Sequence, residues 1–279
     1  FYFGESDPPA FPQSLLDCIP SPAFREQVLH NIHHEELCSD VASAHLRYCT
    51  EKRLAGAKEF AIAYLKRNDS GNIRYVALNY LSDMYGIDVL INDVLPMCTD
   101  AEFLKDITYH IPSSLPVPVL DNMLADTYEK EHTREWQEIL IKRNHRTALI
   151  QYYEEAKSAH SIPDMTHGSL APSLTDSISY ITDPRLVDVI IQLLRLCNTP
   201  NFVDKGSFGL RHSCWESIKR MAAVDYKTVR DALVSEREAV DEEAQKLTCI
   251  DLIQRIEEMY AARVDNALTF EEALVLTSG

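Results

Sequence analysis

Apolar positions recur at helical spacing along most of this chain, and one stretch shows the pattern best. Over residues 72–86, Ile73, Ala77, Leu78, Leu81 and Met84 fall on one face of a helix, with polar residues between them. A second version occupies residues 209–223. Laid over the first without a gap, it pairs Ile73 with Leu210, Arg74 with Arg211, Ala77 with Cys214, and Leu78 with Trp215. Leu81 then meets Ile218, Met84 meets Met221 and, just beyond, Asp88 meets Asp225. Each copy follows an apolar helical run, at 62–66 and at 191–195.

The same periodicity predicts helices along the rest of the chain. The first runs over 22–37, starting at Pro22, and the next is capped by Ser39 and Asp40 and carries Val41, His45, Leu46 and Cys49. Gly56 then breaks the pattern before 57–67, where Phe60, Ala61, Tyr64 and Leu65 form a stripe. Residues 87–97 turn Val89, Leu90, Ile91, Val94 and Leu95 inward, and 101–110 is a short helix. Pro112, Pro116 and Pro118 make a rigid joint before a helix over 119–128. Thr133 caps a long helix to about 159, with Trp136, Ile139, Leu140, Leu149, Ile150 and Tyr153 on its apolar side. Helices over 174–181, 184–197 and 226–235 follow. Residues 244–262 form an amphipathic helix with Leu247, Ile250, Ile253, Ile256 and Met259 as its seam, and Thr269 caps a last one over 270–276. Residues 1–22 hold five prolines and read as an extended arm. The organisation expected is therefore an arm (1–22), an N-terminal helical half (23–160), a connecting loop (161–173) and a C-terminal helical half (174–279), the two halves forming one continuous array.

The segment Asn72-Ile-Arg-Tyr-Val-Ala-Leu-Asn-Tyr-Leu resembles the inner helix of a HEAT repeat. There an Arg follows an apolar residue, and a small-Leu pair comes three or four residues later. Asp183-Pro-Arg-Leu-Val-Asp-Val-Ile-Ile-Gln-Leu-Leu looks like the start of such a unit. The likeness to the HEAT/armadillo group covers 57–97 and 177–235, while 100–170 departs from it in helix length and proline content. It implies an all-α solenoid of stacked antiparallel helix pairs, irregular in its middle, in which each pair buries its apolar face against the next. It also implies a concave face near Arg74, Asn79, Glu216 and Lys219, and a scaffold or sensor segment that binds a protein partner. Some HEAT-like proteins are enzymes that remove alkylated bases from DNA or act as chromophore lyases, so the alternative of an enzyme stays open at this point.

Composition narrows these readings. Only 8 glycines in 279 residues disfavour a strand-rich fold. A formal net charge of −16 works against binding to phosphate backbones and to anionic membranes. No apolar run approaches the ~20 residues that span a bilayer. Seven cysteines, none arranged as CxxC, point to reduced thiols in a cytoplasmic setting. The chain opens on Phe-Tyr-Phe without a basic-then-apolar leader and reads as a segment of something longer.

Candidate chemistry is sparse, and no cofactor motif is present. His30, His34 and Cys38 lie four apart on one predicted helix, the spacing of a zinc site or metal-binding regulator. They lack the H-E-x-x-H arrangement, and the simpler reading is a polar helix edge ending in a half-buried Cys. Asp164 and His167 share a loop and could act as an acid/base pair, yet no nucleophile elbow or phosphate loop accompanies them. Cys214-Trp215 reads as core filling. The connection 198–208 is longer than its counterpart, and insertions in helical arrays fall on one face, often the binding face. Asn201, Phe202, Asp204, Lys205 and Phe208 are accordingly the partner-contact candidates, the two rings serving either as anchors for a partner or, in the simpler reading, as packing that tucks under the connection and holds it. The expectation is a non-enzymatic binding module.

Overall fold

In the computed structural model the described residues (21–34, 37–67, 71–159, 174–199 and 208–277) form helices joined by turns, and no strand occurs among them. The chain divides into two compact units, Phe1–Pro112 and Ser113–Gly279. The division falls at the proline-rich joint. The boundary expected at 161–173 lies inside the second unit, because helices before and after that segment pack on one another. Segment 161–173 itself, with Asp164 and His167, and residues 1–20 of the expected arm lie outside the described residues.

In the first unit, α1 (Ser21–His34), α2 (Ser39–Glu51) and α3 (Lys58–Lys66) lead to α4 (Gly71–Tyr85), followed by a short α5 (Ile87–Val89) and by α6 (Ala101–His110). Helices α2, α3 and α6 all pack against α4. With neighbours on several sides, α4 buries Ile73, Val76, Ala77, Leu78, Tyr80 and Leu81. Each large apolar side chain so buried stabilises the fold by about 1.5–3 kcal/mol. The Tyr80 hydroxyl donates to the Leu54 carbonyl at 2.9 Å and accepts from the Ala57 amide at 3.1 Å. The neighbouring Gly56 has φ 116°, which a side chain would strain. Tyr80 thus fixes the connection between α2 and α3 from the central helix. Ser39 opens α2, but neither it nor Asp40 caps it: Cys38 holds the N-cap position with no side-chain bond. The expected helix over 87–97 loosens after α5 into a π turn (Leu90–Val94) and a 3-10 turn (Leu95–Met97). Pro96 has no N–H to continue the α ladder there. Leu90, Val94 and Leu95 are still buried.

In the second unit, α7 (Pro118–Glu131), α8 (Arg134–Lys142) and α9 (Arg146–Ala159) precede α10 (Leu174–Ile178) and α11 (Val187–Asn198). Then come α12 (Phe208–Val224), α13 (Tyr226–Ala239) and α14 (Glu243–Thr277). Thr133 caps α8, as expected, by accepting from the Trp136 amide at 3.5 Å. The single long helix expected from there to 159 is broken at Asn144, which has φ 65°. The break is tertiary in origin. The side-chain oxygen Oδ1 of Asn144 accepts from the amides of Thr182 and Asp183 at 2.7 and 3.1 Å, and Asn tolerates the left-handed conformation better than most residues. Arg143 beside it is buried, and its guanidinium reaches Asp121 at 2.5 Å and the Leu115 carbonyl at 2.9 Å.

The end of the chain also departs from expectation. Helix α14 is continuous, with no second start at Thr269, because no Gly or Pro interrupts 243–277. Its expected seam is half wrong: Leu247 and Ile250 are 57 % and 47 % exposed, while Cys249, Leu252, Ile253 and Ile256 are buried. A strict three-residue step drifts about 60° round a helix each time, so Leu247 and Ile256 cannot share a face.

Two histidines make stability sensitive to acid. His110, in α6, has its Nε2 buried without a hydrogen-bond partner among the described residues, and burial lowers its pKa against the weaker pull of Asp106 and Asp83. His145 accepts at Nδ1 from the Ala148 amide (3.4 Å) at the start of α9, which only the neutral ring can do. Burial also lowers its pKa, against Asp121 and Glu129. A lowered folded pKa means that the unfolded chain binds the extra proton, so stability is full above the ordinary histidine value of about 6.5 and is lost as pH falls through it. Urea midpoints for both units should therefore drop between pH 7.5 and 5.5. His110→Phe should flatten that drop in the first unit alone, read by hydrogen exchange of α4 peptides.

Candidate functional site

Helices α11, α12 and α14 enclose a groove of about 620 Å³ in the second unit. Leu194 and Asn198 of α11 form its floor; Arg211, His212 and Trp215 of α12 form one wall. The opposite wall is a stripe of α14: Ala244, Leu247, Thr248, Asp251, Leu252 and Arg255. The four-residue spacing of 194 and 198 and of 211 and 215, and the i, i+4, i+7 and i+11 spacing of 244, 248, 251 and 255, bring these side chains to one side of each helix.

A chain of hydrogen bonds between side chains holds the floor. Arg195 of α11 grips both carboxylate oxygens of Glu236 on α13. Glu236 accepts from the Gln245 amide at 3.1 Å, and Gln245 accepts from Asn198 Nδ2 at 2.7 Å. Asn198 Nδ2 also donates to Thr248 at 3.1 Å, and its oxygen accepts from Arg211 at 2.7 Å. Glu236, Gln245 and Asn198 are all buried, so their bonds are made away from water, where leaving one unmade is costly. The Cys197 carbonyl accepts a second bond from Arg211, at 3.2 Å. Both acceptors of Arg211 are neutral, and among the described residues no carboxylate pairs with it.

Trp215 stands at the groove wall. The Arg255 guanidinium lies 3.7 Å from its ring centroid and Lys219 lies 5.1 Å away, both within cation–π range. Each of these cations has its own acid: Arg255 donates to Asp251 at 2.9 Å, and Lys219 meets Glu216 at 2.6 Å. The indole N–H is buried and has no acceptor among the described residues. The groove thus offers guanidinium donors, the partly exposed Trp215 indole and the exposed Leu247, over buried Leu194 and Leu252.

The chain matches no protein-family model, no curated protein and no solved structure. Its function is therefore argued from this geometry.

The residues singled out in the sequence fall elsewhere or outside view. Asn201, Phe202, Asp204 and Lys205 lie outside the described residues. Phe208 begins α12, its side chain outside them as well. The described residues flanking that connection, Asn198 and Arg211, both line the groove. His30 and Cys38 are exposed, and the side chain of His34 is not among those described. No set of three metal-ligating side chains comes together among the described residues. Cys38 therefore departs from the half-buried edge expected of it. Cys214 is fully buried core, as expected, and burial pushes its thiol well above the ordinary range. The thiols of Cys49 and Cys197 are pushed up to about 12 by burial.

Trp215 was expected in the core beside Cys214 and is instead only partly buried, facing the groove. Sequence reading missed Arg211, Leu247 and Arg255 as well. A signal existed: the polar and small residues Ala244, Thr248, Asp251 and Arg255 form their own stripe on α14.

Proposed function

We propose that this chain is a HEAT-like helical-repeat module that binds a protein partner and performs no chemistry of its own. One observation carries the reading: α4 and α12, in separate units, bury the same register. Ile73, Val76, Ala77, Tyr80 and Leu81 are buried, and so are Leu210, Ser213, Cys214, Ser217 and Ile218 at the paired positions. The pair Tyr80 and Ser217 also share a task. Each hydroxyl donates to a carbonyl of an earlier turn, Leu54 and Ile178 respectively. Such correspondence is what stacked bricks of one design require.

The groove supplies recognition groups suited to a protein surface: arginines, a tryptophan and exposed leucine. The charge of −16 works against the DNA-acting alternative, which needs a basic channel. In the test, immobilised chain is passed through native lysate, bound proteins are identified by mass spectrometry, and each is re-tested as a purified pair. The expected result is a partner that saturates the chain at micromolar affinity or better. No protein retained beyond a helical control of equal charge would overturn the reading.

A further inference from the structure

The α12 residues that line the groove, Arg211, His212 and Trp215, pair in register with Arg74, Tyr75 and Leu78 of α4. Arg74 and Arg211 are the same register position. Arg74 is spent inside its unit: its side chain is 11 % exposed, 3.2 Å from Asp106, and lies over the Phe103 ring. Arg211 points to neutral acceptors at the groove floor. Tyr75 corresponds to His212; Tyr75 lies against the His110 ring at 5.6 Å, whereas His212 lines the groove. Leu78 corresponds to Trp215; Leu78 has no exposed surface, whereas Trp215 forms part of the wall. Tyr75 is itself 57 % exposed, so the contrast lies at the other two positions: those that α4 covers at Arg74 and Leu78 face a groove in the second unit, where one guanidinium lacks a carboxylate among the described residues.

Resting on the reading above, we propose that this groove binds an acidic peptide segment of a protein partner, seating a carboxylate on Arg211 and an aliphatic side chain between Trp215 and Leu247. Charge decides the occupant. Arg255 and Lys219 are already matched by Asp251 and Glu216, so among the described residues Arg211 gives the groove its positive charge without a paired carboxylate. A guanidinium held by an ordered amide presents a fixed fork to a carboxylate. Leu247, 57 % exposed in the wall, gives the adjacent apolar contact. In a chain of net charge −16, a local positive site of this kind favours a short acidic segment over an extended acidic surface, since screening limits repulsion to within about 10 Å.

The experiment uses the full chain and three fluorescein-labelled synthetic peptides, alternating leucine with glutamate, lysine or serine, followed by anisotropy. The glutamate peptide should bind saturably, and the lysine peptide should not. Arg211→Glu should weaken binding by about tenfold or more, and Leu247→Glu, a change at an exposed position that leaves the hydrogen-bonded floor intact, should weaken it similarly. Arg237→Glu, outside the groove, should leave it unchanged. Absence of saturable binding, equal binding of the lysine or serine peptide, or full binding by folded Leu247→Glu would overturn the proposal. The partner capture described above separates the two readings. Proteins retained equally by wild type and Leu247→Glu would leave protein binding standing and remove the groove, while no retained protein would remove the broader reading.

Discussion

Replacing Glu236 with alanine should lower the unfolding free energy of the second unit by about 3 kcal/mol. The carboxylate is 7 % exposed and accepts from two groups at once, Arg195 on α11 and Gln245 on α14. The two losses are unequal. Arg195 keeps 48 % of its side chain exposed and can turn to water, so its share must be discounted for screening. Gln245 has no exposed surface, and its amide N–H would be left in a dry interior. Most of the cost therefore comes from an unmade bond and not from a lost ion pair. Glu236→Gln keeps the shape and one acceptor, and should cost about half as much. Glu238→Ala, two residues away on a side chain that is 68 % exposed, should stay within about 0.5 kcal/mol of wild type. Urea titration followed by circular dichroism measures all three. Equal losses at 236 and 238 would mean that the buried chain of side chains contributes nothing to stability.

That chain of bonds also explains which parts of the molecule were legible in the sequence. The apolar period located α3, α4, α11 and α12 because most of their buried positions follow from helical spacing. Of the caps read from the sequence, Thr133 accepts from the turn that follows it, whereas Cys38 holds the N-cap place of α2 ahead of Ser39 and Asp40. What failed was whatever depends on distant residues. Asn144 breaks a helix to serve two amides nearly forty residues on, and nothing within 134–159 announces those partners. The face that α14 presents was misjudged because two stripes compete on it, and neighbouring helices chose between them. The division between the two units falls at Pro112, in the joint of Pro112, Pro116 and Pro118. The groove was hidden for a related reason. Trp215 occupies a register position where Leu78 is core, so likeness between the copies argued for the wrong environment.

The same likeness sets up the second large effect. Leu81→Ala and Ile218→Ala should each destabilise their own unit by about 3 kcal/mol, within the 2–5 expected for emptying a packed site. Both residues have no exposed surface, and both sit at the centre of the helix that their unit packs around. At the next pair the two copies should part. Leu78→Ala should again cost about 3 kcal/mol, because that side chain is fully enclosed. Trp215→Ala should cost about 2 kcal/mol, less than Leu78→Ala, because part of the ring already faces the groove and its N–H loses no bond among the described residues. Hydrogen exchange of peptides from α4 and α12 reads each unit separately, so unequal stability of the two units does not blur the comparison. A Trp215→Ala loss as large as that of Leu78→Ala would place the indole in the core and close the groove as a binding surface. Unequal losses at 81 and 218 would instead break the correspondence between the two helices on which the repeat reading stands.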